Sequence, residues 1–324
     1  YYKGRKMKKT MLICGADGFI GKTALDYVSS KYEITATIFD KKQPSRGIVP
    51  GIEYISIDLR DEQQVINLFE RKTYDVVLQA AATTTGAKDV VERPYVHVTD
   101  NTVMNAWIFR EAMRTNVGHL LFPSCTVMYQ PRDTAQAESD WSPLDEIYPA
   151  YFGVGNMKVF CEKMCDFYSR LGDTKFTAFR HSNVYGPKDK FDLDKCHVVP
   201  AFVNKVTNAK DTLEIWGQGR ASRDIIYIDD LIEFIEKCID KQESKYELYN
   251  CGAGKAYPIL ELAKTIMKIN KKELEFKFDT TKPDIPTTVI LDCTKAKNHL
   301  EWEPKTAVEE GLRKTCEWYK SHIQ

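Results

Sequence analysis

The chain has 324 residues, 43% of them hydrophobic, which is enough to bury a large core and too long for one small domain. Lys+Arg and Asp+Glu each number 46, and this neutral balance gives no support to a nucleic-acid or polyanion binder. No apolar run approaches the roughly 20 residues that a membrane-spanning helix needs.

Tyr1 to Lys9 is basic and tyrosine-rich with no apolar signal core behind it, and Met7 is the expected natural start. The 9 cysteines are odd in number, and their only short spacing is Cys161/Cys165. That pattern indicates neither a disulfide framework nor a zinc site, so a reduced, cytoplasmic chain without a metal is expected.

Strand and helix patterns alternate through the first half. Lys9–Cys14 is a short apolar run that ends in glycine. Thr23–Ser30 has helical spacing, and Glu33–Phe39 and Ile52–Ile57 read as strands. Glu62–Arg71 reads as a helix, Asp75–Gln79 as a buried strand, Thr99–Thr115 as a long helix and His119–Phe122 as a strand. Tyr151–Leu171 is a second long helix, followed by a strand over Phe176–Arg180. This order predicts an α/β chain with a doubly wound parallel sheet of Rossmann type. After Tyr185 the texture changes. Gly186–Lys195 is loop-like, and Glu214–Ile226 is rich in Gly, Arg and Ser. Asp230–Ile239 is a helix expected to return to the first domain, and Gly252–Lys255 and Thr280–Pro286 are turns. The expected division is 7–186 plus 224–244 for a nucleotide-binding domain. A smaller, discontinuous α/β domain over 187–223 plus 245–324 would hold the substrate.

Gly15-Ala-Asp-Gly18-Phe19-Ile20-Gly21 is a GxxGxxG motif at the first strand–helix junction. Glycines there permit a tight turn, close approach of a pyrophosphate and close helix–strand packing. The helix N-terminus offers N–H groups and a positive dipole end to phosphate. Asp40, at the end of the second strand, suits the ribose hydroxyls of NAD(H), whereas Lys41 and Lys42 would suit the extra phosphate of NADP(H). NAD(H) is favoured. Asp58-Leu59 either holds the adenine, or Asp58 caps the next helix.

These features, with Ala80-Ala81-Ala82 and Asn183-Val-Tyr-Gly-Pro187, resemble the extended short-chain dehydrogenase/reductase family. His197-Val198-Val-Pro-Ala201, Ile215-Trp216-Gly-Gln-Gly219, Arg223-Asp-Ile-Ile-Tyr-Ile-Asp229 and Phe278-Asp-Thr-Thr-Lys-Pro-Asp284 resemble its GDP-L-fucose synthase branch, which epimerises and reduces a GDP-linked keto sugar. Trp302 and Glu317-Trp-Tyr319 continue the likeness over nearly the whole chain. The resemblance implies a nucleotide-sugar substrate, with GDP as the favoured nucleotide, and a homodimer built on the two long helices. It also implies a Ser/Thr, a Tyr and a Lys for hydride chemistry, and a Cys and a His that move carbon-bound protons.

Lys158, in Lys158-x-x-x-Glu162, matches the family lysine, and His197 matches its histidine. The other positions depart. The tyrosine position is Val154, the Ser/Thr position is Cys125, and the cysteine position is Val127. Tyr151, seven residues before Lys158, offers a replacement phenol or is a loop tyrosine near the helix start. Cys125 offers a thiol or is a buried strand-end residue, and His197 shuttles protons or simply packs. Thr126, Asn183, Val198 and Arg223 are expected at the substrate, with Arg223 on the diphosphate. Trp216 packs the second domain or stacks on a base, Asp284 and Lys282 are candidates for the base or ribose, and Asn101 reads as structural. An NAD(P)-dependent epimerase/reductase is therefore expected. The competing expectation is a sugar-nucleotide and NAD-binding protein that has lost hydride chemistry. A dehydratase is disfavoured, because no Asp-Glu pair stands beside Thr126.

Overall fold

Short β-branched and aliphatic runs, separated by amphipathic helical stretches, produce alternating elements in the computed structural model, which describes residues 8–40, 43–45, 47–84, 92–282 and 287–323. The first half runs β1 (Lys9–Cys14), α1 (Phe19–Val28), β2 (Tyr32–Ile38), β3 (Ile52–Ser56), α2 (Glu62–Glu70), β4 (Val76–Gln79), α3 (Thr99–Arg114), β5 (His119–Pro123), β6 (Ala135–Gln136), α4 (Phe152–Ser169), β7 (Lys175–His181) and β8 (Asn183–Tyr185). The second half runs α5 (Val198–Asn208), β9 (Thr212–Trp216), β10 (Ser222–Tyr227), α6 (Ile228–Lys241), β11 (Tyr246–Cys251), β12 (Ala256–Pro258), α7 (Ile259–Ile269), β13 (Glu275–Asp279), β14 (Ile290–Leu291), α8 (Thr294–Leu300) and α9 (Val308–His322).

Seven strands form one sheet in the order β11-β7-β5-β4-β1-β2-β3. Every pairing in it is parallel. From β1 the chain winds outward to β2 and β3, then crosses back to β4 on the other side. The crevice at the carboxyl ends of β1 and β4 is thus the topological switch point, where doubly wound sheets bind ligands. Both faces are covered, as a parallel sheet requires. Leu12, Val77, Leu120, Phe176 and Ala178 pack on α2, α3 and α4. Met11, Ile13, Leu78, Leu121 and Phe179 face α1, α6 and the apolar side chains of the second unit.

α1 begins at Phe19, inside the glycine motif and four residues ahead of the expected Thr23. α6 packs against α1, as its predicted return requires. Three points differ from the expected layout. β11 pairs with β7 from Tyr246↔Phe176 to Cys251↔His181, so it belongs to the large sheet, and a boundary at residue 245 would cut it away. The Gly/Arg/Ser-rich stretch 214–226 contains the end of β9 and most of β10. Glu214, Ser222 and Arg223 sit at half-covered strand positions, while Gln218 and Arg220 are exposed between the strands. Finally α5, α7 and α9 pack together and carry the second unit, on apolar faces that the texture of the sequence left unassigned. The C-terminal segment is tied down by Trp302, whose indole N–H donates to the Asp230 carbonyl at 3.0 Å while its ring meets Phe234 edge-on at 5.1 Å.

A buried polar chain joins β5, β7 and the end of α6. The Thr177 hydroxyl donates to Gln242 Oε1 at 2.5 Å, so it accepts from His119 Nε2, 2.7 Å away. Burial, with Lys175 adding to it, pushes the His119 imidazole down to about 3. Its folded value lies below its unfolded value near 6.5. The stability it contributes is therefore complete above pH 6.5 and is lost as pH falls toward 3. Urea midpoints measured from pH 7 to pH 4 should fall in the wild type and fall less steeply in His119→Gln.

Candidate active site

The motif at the carboxyl end of β1 is shaped by backbone contacts. Gly15 has φ +76°, and a Cβ on it would lie 2.5 Å from the Ala81 Cα, so the loop closes directly onto the chain leaving β4. A Cβ on Gly21 would lie 2.3 Å from the Gly15 carbonyl, which brings the first turn of α1 tight against the loop. Gly18 is the N-cap of α1 with φ −79° and makes no side-chain cap, and no acidic residue occupies the first turn. Phe19, Ile20 and Gly21 therefore begin a helix whose N-terminal amides and dipole suit a pyrophosphate. Gly15 N–H donates to Thr37 Oγ1 at 3.0 Å, which fixes the loop to β2.

The other cofactor candidates surround this loop. Ala80 N–H donates to the Cys14 carbonyl at 3.1 Å, and Ala81 and Ala82 continue along the same edge. Asn101 pins this edge, donating to the Thr83 carbonyl at 3.0 Å and accepting from Thr83 N–H at 2.9 Å. Its role is structural. Asp40 is exposed at the end of β2 in a left-handed conformation, φ 48°. Lys41 and Asp284 lie outside the described residues. Leu59 is buried. Asp58 does not cap α2, because the cap is Asp61, whose side chain accepts from Gln64 N–H at 3.0 Å. Asp58 instead holds Arg60 at 2.8 Å, and Arg60 lies over the Phe39 ring at 5.2 Å. The Arg60 hydrogen bonds hold the Asp58 carboxyl below the usual range.

Lys158 extends from α4 to the end of β5, donating to the Pro123 carbonyl at 2.8 Å over the Phe122 ring. Cys125 follows two residues later. Burial pushes its thiol up and Lys158 pulls it partly back, so it stays protonated at neutral pH. The neighbouring Ser124 is turned away, donating to Glu162 Oε1 at 2.6 Å. Glu162 in turn pairs with Arg180 at 2.7 Å, with side chains only 3% and 2% exposed. The glutamate of the Lys158-x-x-x-Glu162 pattern is therefore a structural partner. Val154, at the expected tyrosine position, packs against the core beneath α4.

Beyond β5 a cleft is lined by Thr126, Tyr148, Tyr151, Asn183, Arg223 and Thr287, among others. Tyr151 ends the short 3-10 turn Pro149–Tyr151 and is the N-cap residue of α4, at the start of that helix. Burial pushes its phenol up, and the Arg223 charge works the other way. Asn183 Nδ2 donates to the Asp224 carbonyl at 3.2 Å, and the Arg223 guanidinium donates to the Ser222 and Thr287 carbonyls. Next to Arg223, the buried Asp224 accepts from the amides of Ala253, Gly254 and Leu291 at 2.8, 3.2 and 3.1 Å. Burial raises its carboxyl to about 6.

Lys158, His197 and Trp216 do not line that cleft. His197 is the N-cap of α5, and Val198 is its first residue. The imidazole is open to water, yet the protein crowded about it holds it below the usual range, with Lys190 and His97 adding to the effect. Trp216 carries Lys205 and Lys282 over its ring at 5.2 and 5.8 Å. Sequence reasoning missed Tyr148, Asp224 and Thr287. Asp224 had a signal in its place beside Arg223, whereas Thr287 reaches the cleft only through the tertiary fold. Among the described residues no group of three or more His, Cys, Asp or Glu stands close enough to hold a metal ion, and no helix is long and apolar enough to cross a membrane.

A doubly wound sheet with a glycine loop at its switch point and a polar cleft beside it defines a dinucleotide-binding protein with an adjoining substrate site. The model of the NAD dependent epimerase/dehydratase family matches residues 11–252, and the chain belongs to that family. It is 28% identical to a GDP-L-fucose synthase of Sinorhizobium fredii, over 97% of this chain and 96% of that protein. It is 27% identical to a GDP-L-colitose synthase of Yersinia pseudotuberculosis, over 95% of this chain and 97% of that one. A solved UDP-glucose 4-epimerase of Thermotoga maritima superposes with a TM-score of 0.85 at 23% identity, covering 97% of this chain and 100% of the other.

The loop geometry separates two glycine replacements. Gly21→Ala should lower stability by roughly 1–3 kcal/mol, because backbone blocks the new methyl, and should weaken NAD binding as well. Gly18→Ala meets nothing closer than 3.2 Å. It should lower the melting temperature less than Gly21→Ala does while weakening NAD at least tenfold, as read by calorimetric titration.

Proposed function

We propose that the protein is an NAD(P)-dependent nucleotide-sugar epimerase/reductase acting on a keto or hydroxy sugar, with a GDP-linked sugar favoured. The observation that carries this reading is the convergence of Thr126, Tyr151, Asn183 and Arg223 on one cleft at the carboxyl end of the sheet. The GDP preference is supported by the two synthase relatives, both named for GDP-sugar activities. A bound dinucleotide would supply or accept hydride. The loop from Gly15 to Gly21, Asp58, Leu59, Ala80, Ala81 and Ala82 would hold it, with Lys158 at its nicotinamide end. The exposed carboxylate of Asp40 favours NAD(H), since it suits ribose hydroxyls and repels an added phosphate.

In this reading Arg223 grips the diphosphate and Asn183 and Thr126 orient the sugar. Tyr151 carries the proton at the sugar oxygen. Its raised phenol stays protonated at neutral pH and can donate as a carbonyl is reduced. His197 and Cys125 handle carbon-bound protons. Trp216, Val198 and the turn holding Asp284 form the nucleotide end. Tyr151→Phe should reduce turnover of GDP-4-keto-6-deoxymannose about 100-fold or more while leaving the NAD dissociation constant unchanged. Normal turnover in that variant would exclude the assignment.

The second reading, a sugar-nucleotide and NAD-binding protein without hydride chemistry, is favoured by Val154 packing into the core and Ser124 committed to Glu162. It requires tight binding of both ligands by the wild type with no oxidation of NADH or NADPH on any keto sugar.

We also propose a homodimer through α3 and α4. Phe152, Phe160 and Phe167 are 66%, 53% and 55% exposed, and their spacing places them along one side of α4, with Leu171, 54% exposed, just past its end. Phe160→Glu with Phe167→Glu should convert a dimer to a monomer in light scattering at micromolar concentration. A cytoplasmic location suits 9 cysteines that are all unpaired.

A further inference from the structure

Two neighbouring residues of β10 grip the same stretch of cleft wall. The Arg223 guanidinium donates to the Thr287 carbonyl, and the Asp224 carboxyl accepts from Leu291 N–H at 3.1 Å. Thr287 and Val289 of that stretch line the cleft, as do Arg223 and Asp224 themselves. A diphosphate in the cleft would compete for the Arg223 donors. Asp224 is then the anchor that does not depend on the ligand.

The surroundings of Asp224 are built for that task. Oδ1 takes Ala253 N–H at 2.8 Å, and Oδ2 takes Gly254 N–H at 3.2 Å as well as Leu291 N–H. Its own carbonyl accepts from Asn183 Nδ2 at 3.2 Å. One buried residue thus ties β8, β10, the turn after β11 and β14 together. Gly252 leaves room for it, since a Cβ there would lie 3.0 Å from Oδ2 and 3.2 Å from Oδ1. Only the ionised carboxylate serves all three amides, because a proton on either oxygen turns an acceptor into a donor. Burial raises the carboxyl to about 6, with the amides and Ser182 working the other way. The titratable groups facing it are Tyr257, Cys251 and Cys293, all raised by burial and so uncharged at neutral pH. The charged side chains of the adjoining segments are engaged elsewhere, Lys255 over the Tyr257 ring at 5.2 Å and Asp292 on Thr294 N–H at 2.8 Å.

We propose that Asp224 is a positioning residue for the nucleotide-sugar: its carboxylate fixes the cleft wall from Thr287 to Leu291, and its main chain fixes Asn183 and Arg223, in the arrangement that receives the diphosphate. The proposal rests on the nucleotide-sugar reading above. Asp224 moves no proton in the reaction and acts on binding alone. As pH falls through about 6 it takes up a proton, gives up an amide, and the wall loosens. The dinucleotide loop at the end of β1 shares none of these bonds, so NAD is unaffected.

The test uses the full chain, with Asp224→Asn and Gly252→Ala as variants and GDP-mannose, UDP-glucose and NAD as probes in calorimetric titrations from pH 7 to pH 5. The wild type should lose about tenfold in affinity for the nucleotide-sugar it prefers over that range, with its NAD affinity steady. Asp224→Asn should bind that sugar about tenfold more weakly at pH 7 and show no further loss at pH 5, because asparagine has no proton to gain. Gly252→Ala crowds the carboxylate without removing its charge, so it should weaken the sugar and keep the pH dependence. Both variants should hold NAD within twofold of wild type. Wild-type sugar affinity or wild-type pH dependence in Asp224→Asn would overturn the proposal and leave the nucleotide-sugar reading intact. If Asp224→Asn does not fold, unchanged sugar affinity in Gly252→Ala would overturn it. A wild type that binds NAD but neither nucleotide-sugar would overturn both.

Discussion

A nearly dry ion pair holds the site in register. Glu162 on α4 and Arg180 on β7 meet at 2.7 Å with almost no access to water. Arg180 also lies over the rings of Tyr129 and Trp141, at 4.9 and 5.5 Å, and donates to the Tyr129 hydroxyl at 3.0 Å. That hydroxyl donates onward to Asn250 on β11 at 2.8 Å. One carboxylate thus links the helix carrying Lys158, the strand carrying His181 and the cleft wall at Tyr129. A buried pair of this kind contributes little net stability against an apolar replacement, but loss of one partner strands a charge at a cost of about 3–5 kcal/mol. What it supplies is position.

Burial acts on the candidate proton carriers in a consistent direction. It raises the phenol of Tyr151 and the thiol of Cys125, and the protein packed around the water-exposed His197 lowers that imidazole too. In each case the charged form is the one disfavoured. The region therefore favours neutral acids and neutral bases, beside the guanidinium of Arg223. Such an arrangement suits a substrate that brings its own negative charge on a diphosphate and whose reacting carbons are uncharged.

Parts of this site were legible from local pattern alone. The spacing of Gly15, Gly18 and Gly21 after an apolar strand predicts the loop, because a tight turn onto a helix N-terminus admits few residue types. Lys158 was picked out by its resemblance to the family lysine, and Asn183 by its place at a strand end. Other parts had no local signature. Asp58 preceded a helix as a cap would, yet Asp61 three residues later took that role and freed Asp58 to pair with Arg60. The expected boundary at residue 245 placed β11 in a second domain, and only its pairing with β7 returned it to the large sheet. Nothing in the local sequence showed that Ser124, beside Cys125, is committed to Glu162.

By itself the sequence determined the α/β alternation, the phosphate-binding loop and the family, because these depend on residue periodicity and on glycines close together in the chain. It also showed that Val154 and Val127 cannot move protons, since that is a property of the side chain wherever it lies. The tertiary structure alone decided which side chains share the cleft. Thr126, Tyr151, Asn183, Arg223 and Thr287 come from five separated segments and meet only when the second unit closes over the end of the sheet. It also decided how the proton carriers are tuned, because burial and neighbouring charge are set by contacts between residues far apart in the chain.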